Sequence, residues 1–378
     1  MRRGRFVVVA LLLVGCGSDP SASTSGGGGP RGEGGATGST GPGAGGDGGQ
    51  GEGGQLQGGG GQGGEPCVDA LPVDAEAPAS LALTGLYADV AQKTLGPGIG
   101  AFAPRFPLWS DAAVKTRWVY LPECGEIDSS DMNDWRLPVG TRLFKEFVVA
   151  GKRIETRFIE RIGEGPNDFL YATYLWNEAE TEATLLLEGL VDAKGTDHDI
   201  PAEAACRRCH GSHDKGGGRP SRALGLSAYQ LSGSASEVTL ASLAAAGKLS
   251  HPPPSGGYPA IGADAAEQEA LGYLHANCGS CHNATIDGVP QLGMNLWIDV
   301  EATTAAETGT FLTAVGVPTT LFMQPGVSLR VAPGDPTASA VWFRMHERGN
   351  NAQMPPLGSE VVDAAGVAAI EAWIGGLP

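Results

Sequence analysis

Residues 142–162 read RLFKEFVVAGKRIETRFIERI, two apolar and aromatic runs separated by Ala150-Gly151-Lys152. A glycine-containing break between two β-branched runs is typical of a turn, so the segment predicts an antiparallel hairpin. In the second run apolar and polar residues alternate, which indicates a strand with one face on a core and one face exposed to water. This hairpin is the centre of a longer β-rich region.

Three further runs rich in β-branched and aromatic residues flank the hairpin. Turn-forming stretches separate them, as expected for strands that follow one another in the same sheet. We therefore predict an antiparallel sheet or sandwich between about Leu81 and Val191. The three runs are Lys115 to Leu121, Phe169 to Trp176 and Ala183 to Val191.

The pattern changes after Ile200-Pro201 to alanine-rich segments at helical spacing. A Pro-rich and Gly-rich run at 251–257 marks the predicted domain boundary. The expected fold class is α+β: an antiparallel β-rich domain at 67–255, ending in a helical segment, followed by an all-α domain at 256–378. The predicted helices are Glu237 to Leu249, Ala263 to Asn277, Thr337 to Glu347 and Val361 to Ile374.

The N-terminus predicts export. Three arginines precede the apolar run Phe6 to Val14, which is too short to span a bilayer and is typical of a signal peptide over residues 1–15. Leu13-Val14-Gly15-Cys16 resembles a bacterial lipobox, in which Cys16 would carry lipid. The alternative is an ordinary signal peptide followed by a chance cysteine. We expect a lipid-anchored protein of the cell envelope, facing the periplasm or in the outer membrane.

The segment that follows predicts a tether. Half of the residues from Gly17 to Gly64 are glycine, and few are apolar, so residues 16–66 are expected to form a flexible linker without a core. The whole chain of 378 residues has a formal net charge of −17. Such acidity argues against nucleic acid as a partner and suits a basic redox partner protein. Contact with the membrane is expected only through the N-terminal lipid.

Two segments share the pattern Cys-x-x-Cys-His: Cys206-Arg207-Arg208-Cys209-His210 and Cys278-Gly279-Ser280-Cys281-His282. Two thiols at this spacing form thioethers with the two vinyl groups of one haem, and the adjacent histidine ligates its iron. The sequence therefore predicts two covalently attached haem c groups. Cys206, Cys209, Cys278 and Cys281 would attach them, with His210 and His282 as iron ligands.

Met354, followed by Pro355-Pro356, is the predicted sixth ligand of the haem on the second motif. Iron held by histidine and thioether sulfur has no open position, which suits electron transfer. The first motif has no methionine close behind it. Its sixth ligand would be His198, His213, His251 or the remote Met294, or the position would be open.

The first motif also permits other interpretations. Cys206 and Cys209 could form a disulfide, or they could supply half of a zinc site. Zinc would need two more ligands, and His198 and His213 are near in sequence. Cys67 and Cys124 are the two cysteines without an assignment. They could form a disulfide, which an oxidising compartment permits, or they could stay free.

Residues from Ile261 to Pro378 resemble the monohaem class I cytochrome c domain. The resemblance rests on a helix before the second motif, the helix start Pro333-Gly334-Asp335-Pro336, the run from Met354 to Gly358, and a last helix with Trp373-Ile374. It implies that the all-α domain has the class I cytochrome c fold. It further implies contacts between the first and last helices at Gly272, Tyr273 and Trp373, an insertion within 297–329, and a backbone partner for His282 at Pro290.

The whole body is similar to dihaem c-type cytochromes of bacterial envelopes. The similarity includes Trp135 to Thr141, Trp176-Asn177-Glu178 and Leu224-Gly225-Leu226. It implies an electron carrier between redox partner proteins rather than an enzyme. Two alternatives stay open: a dihaem cytochrome c peroxidase-like enzyme with an open first haem, and an envelope binding module with structural haem.

Overall fold

The computed structural model describes residues 71–74, 76–211, 223–283 and 293–378. The predicted signal peptide, Cys16 and the glycine-rich tether lie outside the described residues, and so do Cys67, His213 and Pro290. Cys124 is disulfide-bonded.

Six strands form an antiparallel sheet in which each strand pairs with the next one along the chain. This order needs only short connections, as the sequence of strand-like runs and turns predicts. A separate two-stranded hairpin precedes it, made of β1 (Tyr87–Asp89) and β2 (Thr94–Leu95). The six strands are β3 (Ile99–Ala101), β4 (Val114–Tyr120), β5 (Arg142–Val149), β6 (Lys152–Arg161), β7 (Phe169–Trp176) and β8 (Ala183–Leu185).

The two faces of the sheet have different roles. On the face that we call the core face, Trp118, Phe144 and Phe158 follow one another across three strands and are buried. Leu81 and Leu86 cover them from the segment before the sheet. On the opposite face, which we call the cavity face, one end packs against short helices, and the remainder lines the site described below.

The described helices are mostly short. The longest two each begin at an aspartate whose carboxylate accepts a backbone N–H of the first turn, Asp264 from Glu267 and Asp363 from Gly366. Within the described residues, no helix is long and apolar enough to cross a membrane. The helices are α1 (Glu203–His210), α2 (Ala228–Leu231), α3 (Leu240–Ala245), α4 (Ala265–Asn277), α5 (Gly309–Thr313), α6 (Ala340–His346) and α7 (Ala364–Gly376).

The predicted fold class, an α+β chain ending in an all-α class I cytochrome c domain, is wrong. The structure is a β-rich unit built on the six-stranded antiparallel sheet, with few helices in the part of the chain it describes. Between α5 and α6 the chain forms isolated β-bridges, from Val315 to Val331 and from Pro318 to Leu329. Gly316 and Gly326 there have φ of 69° and 81°, and a proline has no N–H to donate, so no helix extends through this segment.

The described residues from 71 to 378 belong to one compact unit, in which α4 packs against Phe106, between β3 and β4, and against α7 at the end of the chain. Gly272 of α4 lies against Phe106, so a Cβ at this glycine would be 2.2 Å from the Phe106 ring. The resemblance had implied that both Gly272 and Tyr273 meet the last helix. Tyr273 does, because its ring lies on Gly366 of α7, whereas Gly272 packs against Phe106.

Glu160 on the core face predicts how stability depends on pH. Its side chain is fully buried, 3.0 Å from Arg142 Nε, and burial, opposed by Arg142 and reinforced by Asp74, raises its pKa to about 7. A carboxyl group with a raised folded-state pKa stabilises the protein at acidic pH, and this contribution is lost as pH rises through that pKa. We expect the unaltered protein to lose about 2 kcal/mol of its free energy of unfolding in urea, relative to Glu160→Gln, between about pH 5 and about pH 8. The comparison with the variant isolates Glu160 from other groups that titrate in this range. A difference that stays constant, or that changes in the opposite direction, would contradict the assignment.

Candidate functional site

A cavity of about 720 Å³ is lined by the cavity face of the sheet, by α1, and by the chain following α4. Its volume lies within the range of sites that take small molecules and cofactors. The two Cys-x-x-Cys-His motifs are far apart in sequence, yet both line it. All seven predicted site residues line this cavity: Cys206, Cys209, His210, Cys278, Cys281, His282 and Met354.

The first motif lies on α1. Helical spacing of three and four residues places Cys206, Cys209 and His210 on one side of the helix. The helix packs on β7, where the Tyr171 hydroxyl donates to the His210 carbonyl oxygen at 3.3 Å and the two rings are 6.0 Å apart. Burial raises the pKa of the Cys206 thiol to about 11, so this thiol is protonated at neutral pH.

The second motif is a tight turn at the end of α4. The His282 N–H donates to the Cys278 carbonyl oxygen at 2.8 Å, and the His282 carbonyl oxygen accepts from the Leu296 N–H at 2.7 Å. Asn277 ties the motif to the segment before β4, because its Oδ1 accepts from the Trp109 N–H at 2.7 Å. Burial raises the pKa of Cys278 to about 12. The turn is therefore held from both sides.

His282 has the protonation state that a metal ligand needs. It is only 9 % exposed, and burial together with the charges of Arg344 and Arg330 lowers its pKa to about 4. Its ring is therefore neutral at physiological pH. Its Nδ1 is buried without a hydrogen-bond partner among the residues that the structure describes. The carbonyl of Pro290, implied by the resemblance as its partner, lies outside them.

Met354 is held in a loop that is fixed to α6. The Met354 N–H donates to the Arg344 carbonyl oxygen at 3.0 Å, and Arg344 Nε donates to the Ala352 carbonyl oxygen at 2.8 Å. The Gln353 side-chain amide closes the loop by donating to the carbonyl oxygens of Pro355 and Ser359, at 3.2 and 3.0 Å. Met294 and Met345 also line the cavity, whereas Met323 is 86 % exposed and does not.

Of the predicted candidates for a sixth ligand at the first motif, some line the cavity and others do not. His198 and Met294 line the cavity, whereas His251 is exposed and does not. His198 is 2 % exposed, with Nε2 at 2.8 Å from Glu155 Oε1 and Nδ1 without a partner within the described chain.

The alternative interpretations of the first motif gain no support from the geometry. Cys206 and Cys209 do not form a disulfide with each other. Across the described ranges, no three His, Cys, Asp or Glu side chains are grouped so that they could hold a metal ion. His213, one of the two histidines considered for zinc, lies outside those ranges.

Sequence reasoning missed a row of cations on the cavity face. Arg117 of β4 pairs directly with Lys145 of β5, and Lys145 pairs directly with Arg157 of β6. The alternation in β6 had been interpreted as a face exposed to water, but its charged side chain at 157 lines the cavity instead. The signal was present in the sequence as a cation in each of three neighbouring strand-like runs.

Only one member of this row has an acidic partner in the described chain. Arg157 Nη2 lies 2.6 Å from Glu155 Oε1. Arg117 is 7 % exposed and has no ion pair or side-chain hydrogen bond to a described residue, and Lys145 contacts the Phe147 ring at 4.8 Å. Burial lowers the pKa of Arg117 to about 10 and that of Lys145 well below its ordinary value.

The residues present fit haem. A porphyrin is a large apolar ring with two carboxylates, and the cavity combines apolar walls, two thiol pairs and cations that lack acids. Neutral His282 and the sulfur of Met354 are of the ligand types that haem iron takes. Apolar side chains of the wall include Phe102, Leu143, Ile159, Met294 and Leu296.

Comparisons with protein-family models, with curated proteins and with solved structures found no match. The resemblance to envelope cytochromes therefore stays a prediction from sequence motifs. What the site binds is inferred from the cavity, its thiols and its charged side chains.

Proposed function

We propose that this chain is an electron-transfer protein that carries two covalently attached haem c groups in one cavity. The observation that supports this most strongly is that both Cys-x-x-Cys-His motifs and Met354 line the same cavity. Unrelated surface motifs would have no reason to converge on one apolar chamber. Cys206 and Cys209 would attach one haem, with His210 on its iron. Cys278 and Cys281 would attach the other, with His282 and Met354 as ligands.

The side chains around the second motif favour a carrier over an enzyme. Bound haem supplies one-electron redox chemistry, at a potential set by its axial ligands and burial. His282 and Met354 would both be ligands of its iron, which would leave no ligand position for a substrate. Arg344 and Gln353 fix the Met354 loop, which keeps the sulfur in place when the charge of the site changes.

An envelope location agrees with this chemistry. The disulfide at Cys124 suits an oxidising compartment, and the N-terminal sequence predicts export and lipidation at Cys16. The acidic chain suits basic redox partner proteins. We propose a lipid-anchored carrier that faces the periplasm or the outer membrane.

One observation favours a second candidate function, peroxide reduction at the first motif. The only described histidine that lines the cavity besides the two motif histidines is His198, and its Nε2 already bonds to Glu155. A histidine held by a carboxylate is suited to accept and donate protons. Peroxide turnover that survives loss of Met354 but not loss of His210 would favour this enzyme over a carrier.

A count of haem tests the proposal. Purified full-length protein, matured in a host that attaches haem c, should contain two haems per chain in a pyridine haemochrome assay. The double variants Cys206→Ala/Cys209→Ala and Cys278→Ala/Cys281→Ala should each contain one, because each removes one attachment site. Arg207→Ala is the matched control, since Arg207 lies within the first motif, is exposed and does not line the cavity. One haem or none in the unaltered chain would overturn the proposal.

A further inference from the structure

Arg117 and Lys145 place two basic side chains next to each other on the wall of the cavity. They are direct partners on adjacent antiparallel strands, so their Cβ atoms are about 5 Å apart on the same face. Both line the cavity. Because the sheet is rigid, its backbone holds the two cations in a fixed arrangement before anything binds.

Two acids, Asp199 and Glu360, line the cavity from outside the sheet. The acid on this face of the sheet, Glu155, is already engaged. Glu155 is fully buried and contacts Arg157 at 2.6 Å and His198 at 2.8 Å. No described acid forms an ion pair with Arg117 or Lys145. Arg117 is buried and keeps its charge at neutral pH, because burial lowers its pKa only to about 10. A buried cation without a counter-charge costs several kcal/mol, and a sheet could accommodate an apolar residue here at no such cost. Arg117 therefore indicates an anion in the cavity, and that anion would also favour the protonated form of Lys145 beside it.

The chemistry of the wall indicates carboxylates. A guanidinium binds a carboxylate through two parallel hydrogen bonds, and an ammonium beside it serves as a point charge. The apolar side chains around the cations would accommodate an apolar body bearing those carboxylates. Arg157, the third member of the row, lies near both Cys206 and Cys209, and all three residues line the cavity. The row therefore lies beside the first motif.

We infer that Arg117 and Lys145 bind the propionate groups of the haem attached at Cys206 and Cys209. This inference rests on the proposed function, because it requires that haem. It assigns the sheet a role in holding the cofactor and setting its potential. Positive charge near the iron favours the reduced, less positive state, so both cations would raise the potential of the first haem.

Potentiometric titration of the holoprotein tests the inference. Arg117→Gln and Lys145→Gln should each shift the oxidation equilibrium of the first haem about tenfold toward the oxidised form, about 59 mV for one electron. The second haem should titrate unchanged. The bending bands of the propionates in resonance Raman spectra should shift in both variants. Lys152→Gln is the control, because Lys152 is on the same sheet but exposed and away from the cavity.

Thermal unfolding of the same holoproteins shows whether an anion lies beside Arg117, because the two cases change Tm in opposite directions. If propionates neutralise Arg117, its replacement removes a buried ion pair and lowers Tm. If the cavity holds no anion there, the replacement removes an uncompensated charge and raises Tm, which would overturn the inference. Lys145→Gln gives the same test at a half-buried position if the Arg117 variant does not fold.

A soluble anion is the other source of carboxylates. Citrate added to the unaltered holoprotein should leave the Soret band and Tm unchanged, because haem carboxylates already occupy the two cations. A citrate response that Arg117→Gln abolishes would assign the site to an exogenous anion instead. The haem count separates the two proposals. Fewer than two haems contradicts the proposed function, whereas two haems with unaltered potentials contradicts this inference alone.

Discussion

Met354→Ala is expected to convert the haem on Cys278 and Cys281 from a low-spin to a high-spin form and to lower its midpoint potential. The thioether sulfur favours ferrous iron, and alanine supplies no ligand atom in its place. Axial ligands set haem potentials over about 0.8 V, so we expect a decrease on the order of 0.2 V. The measurements are the electronic absorption spectrum and a potentiometric titration of the holoprotein. The haem count should stay at two, because the thioether bonds do not involve Met354.

Two other methionines make this assignment falsifiable. Met323→Ala is the matched control, because Met323 is 86 % exposed and does not line the cavity. Met294→Ala is the rival, since Met294 does line it. If Met294→Ala produces the high-spin form and Met354→Ala does not, the sixth ligand is Met294. A low-spin spectrum in both variants would mean that neither sulfur is a ligand.

The strands could be predicted from sequence because their signal is local. The runs predicted at Arg142 to Val149 and Phe169 to Trp176 are β5 and β7 as the structure has them, and the run at 153–162 differs from β6 by one residue at each end. Alternation and glycine turns are properties of neighbouring residues, so they need no knowledge of the rest of the fold. The last run was predicted too long. It extended to Val191, whereas β8 ends at Leu185.

The seven residues predicted as a site could be named from sequence, but their arrangement around one cavity could not. A Cys-x-x-Cys-His motif identifies the atoms that react with haem, but it does not indicate which other residues of the fold surround them. The cations at 117 and 145 appear in sequence as the polar side of ordinary strands. Only the packing of α1 against β7 turns that side into the wall of a cavity.

The wrong fold class has a related cause. The helices α4, α6 and α7 each lie close to a helix predicted in the last third of the chain, which made an all-α domain look consistent. The segment between α5 and α6 carried no strong periodicity and was attributed to an insertion. It forms β-bridges that pair residues distant in sequence, such as Val315 with Val331. Pairings of this kind depend on the whole fold and leave little local signal.

Gly366→Leu is expected to destabilise the protein by about 3 kcal/mol or more and to reduce haem attachment at the second motif. Gly366 is buried where α7 crosses α4, and even a Cβ there would lie 2.3 Å from the Tyr273 ring. Atoms do not approach so closely, so the Tyr273 ring would be displaced or α7 would move away from α4. Because α4 carries Tyr273 and ends at the second motif, either movement would loosen the turn that holds Cys278 and His282. Urea unfolding and the pyridine haemochrome assay measure the two effects.

Gly375→Leu on the same helix is the matched control, and its effect should have the opposite sign. No atom lies within 4 Å of a Cβ at Gly375, so leucine adds helix propensity without a clash, for a gain of about 0.5–1 kcal/mol. The contact itself is tested by Tyr273→Ala combined with Gly366→Leu. If the clash is the cause, the double variant should lose about 1–3 kcal/mol less stability than the sum of the losses in the two single variants. Equal effects at Gly366 and Gly375 would instead mean that helix propensity alone governs both sites, and that the α4–α7 crossing does not position the second motif.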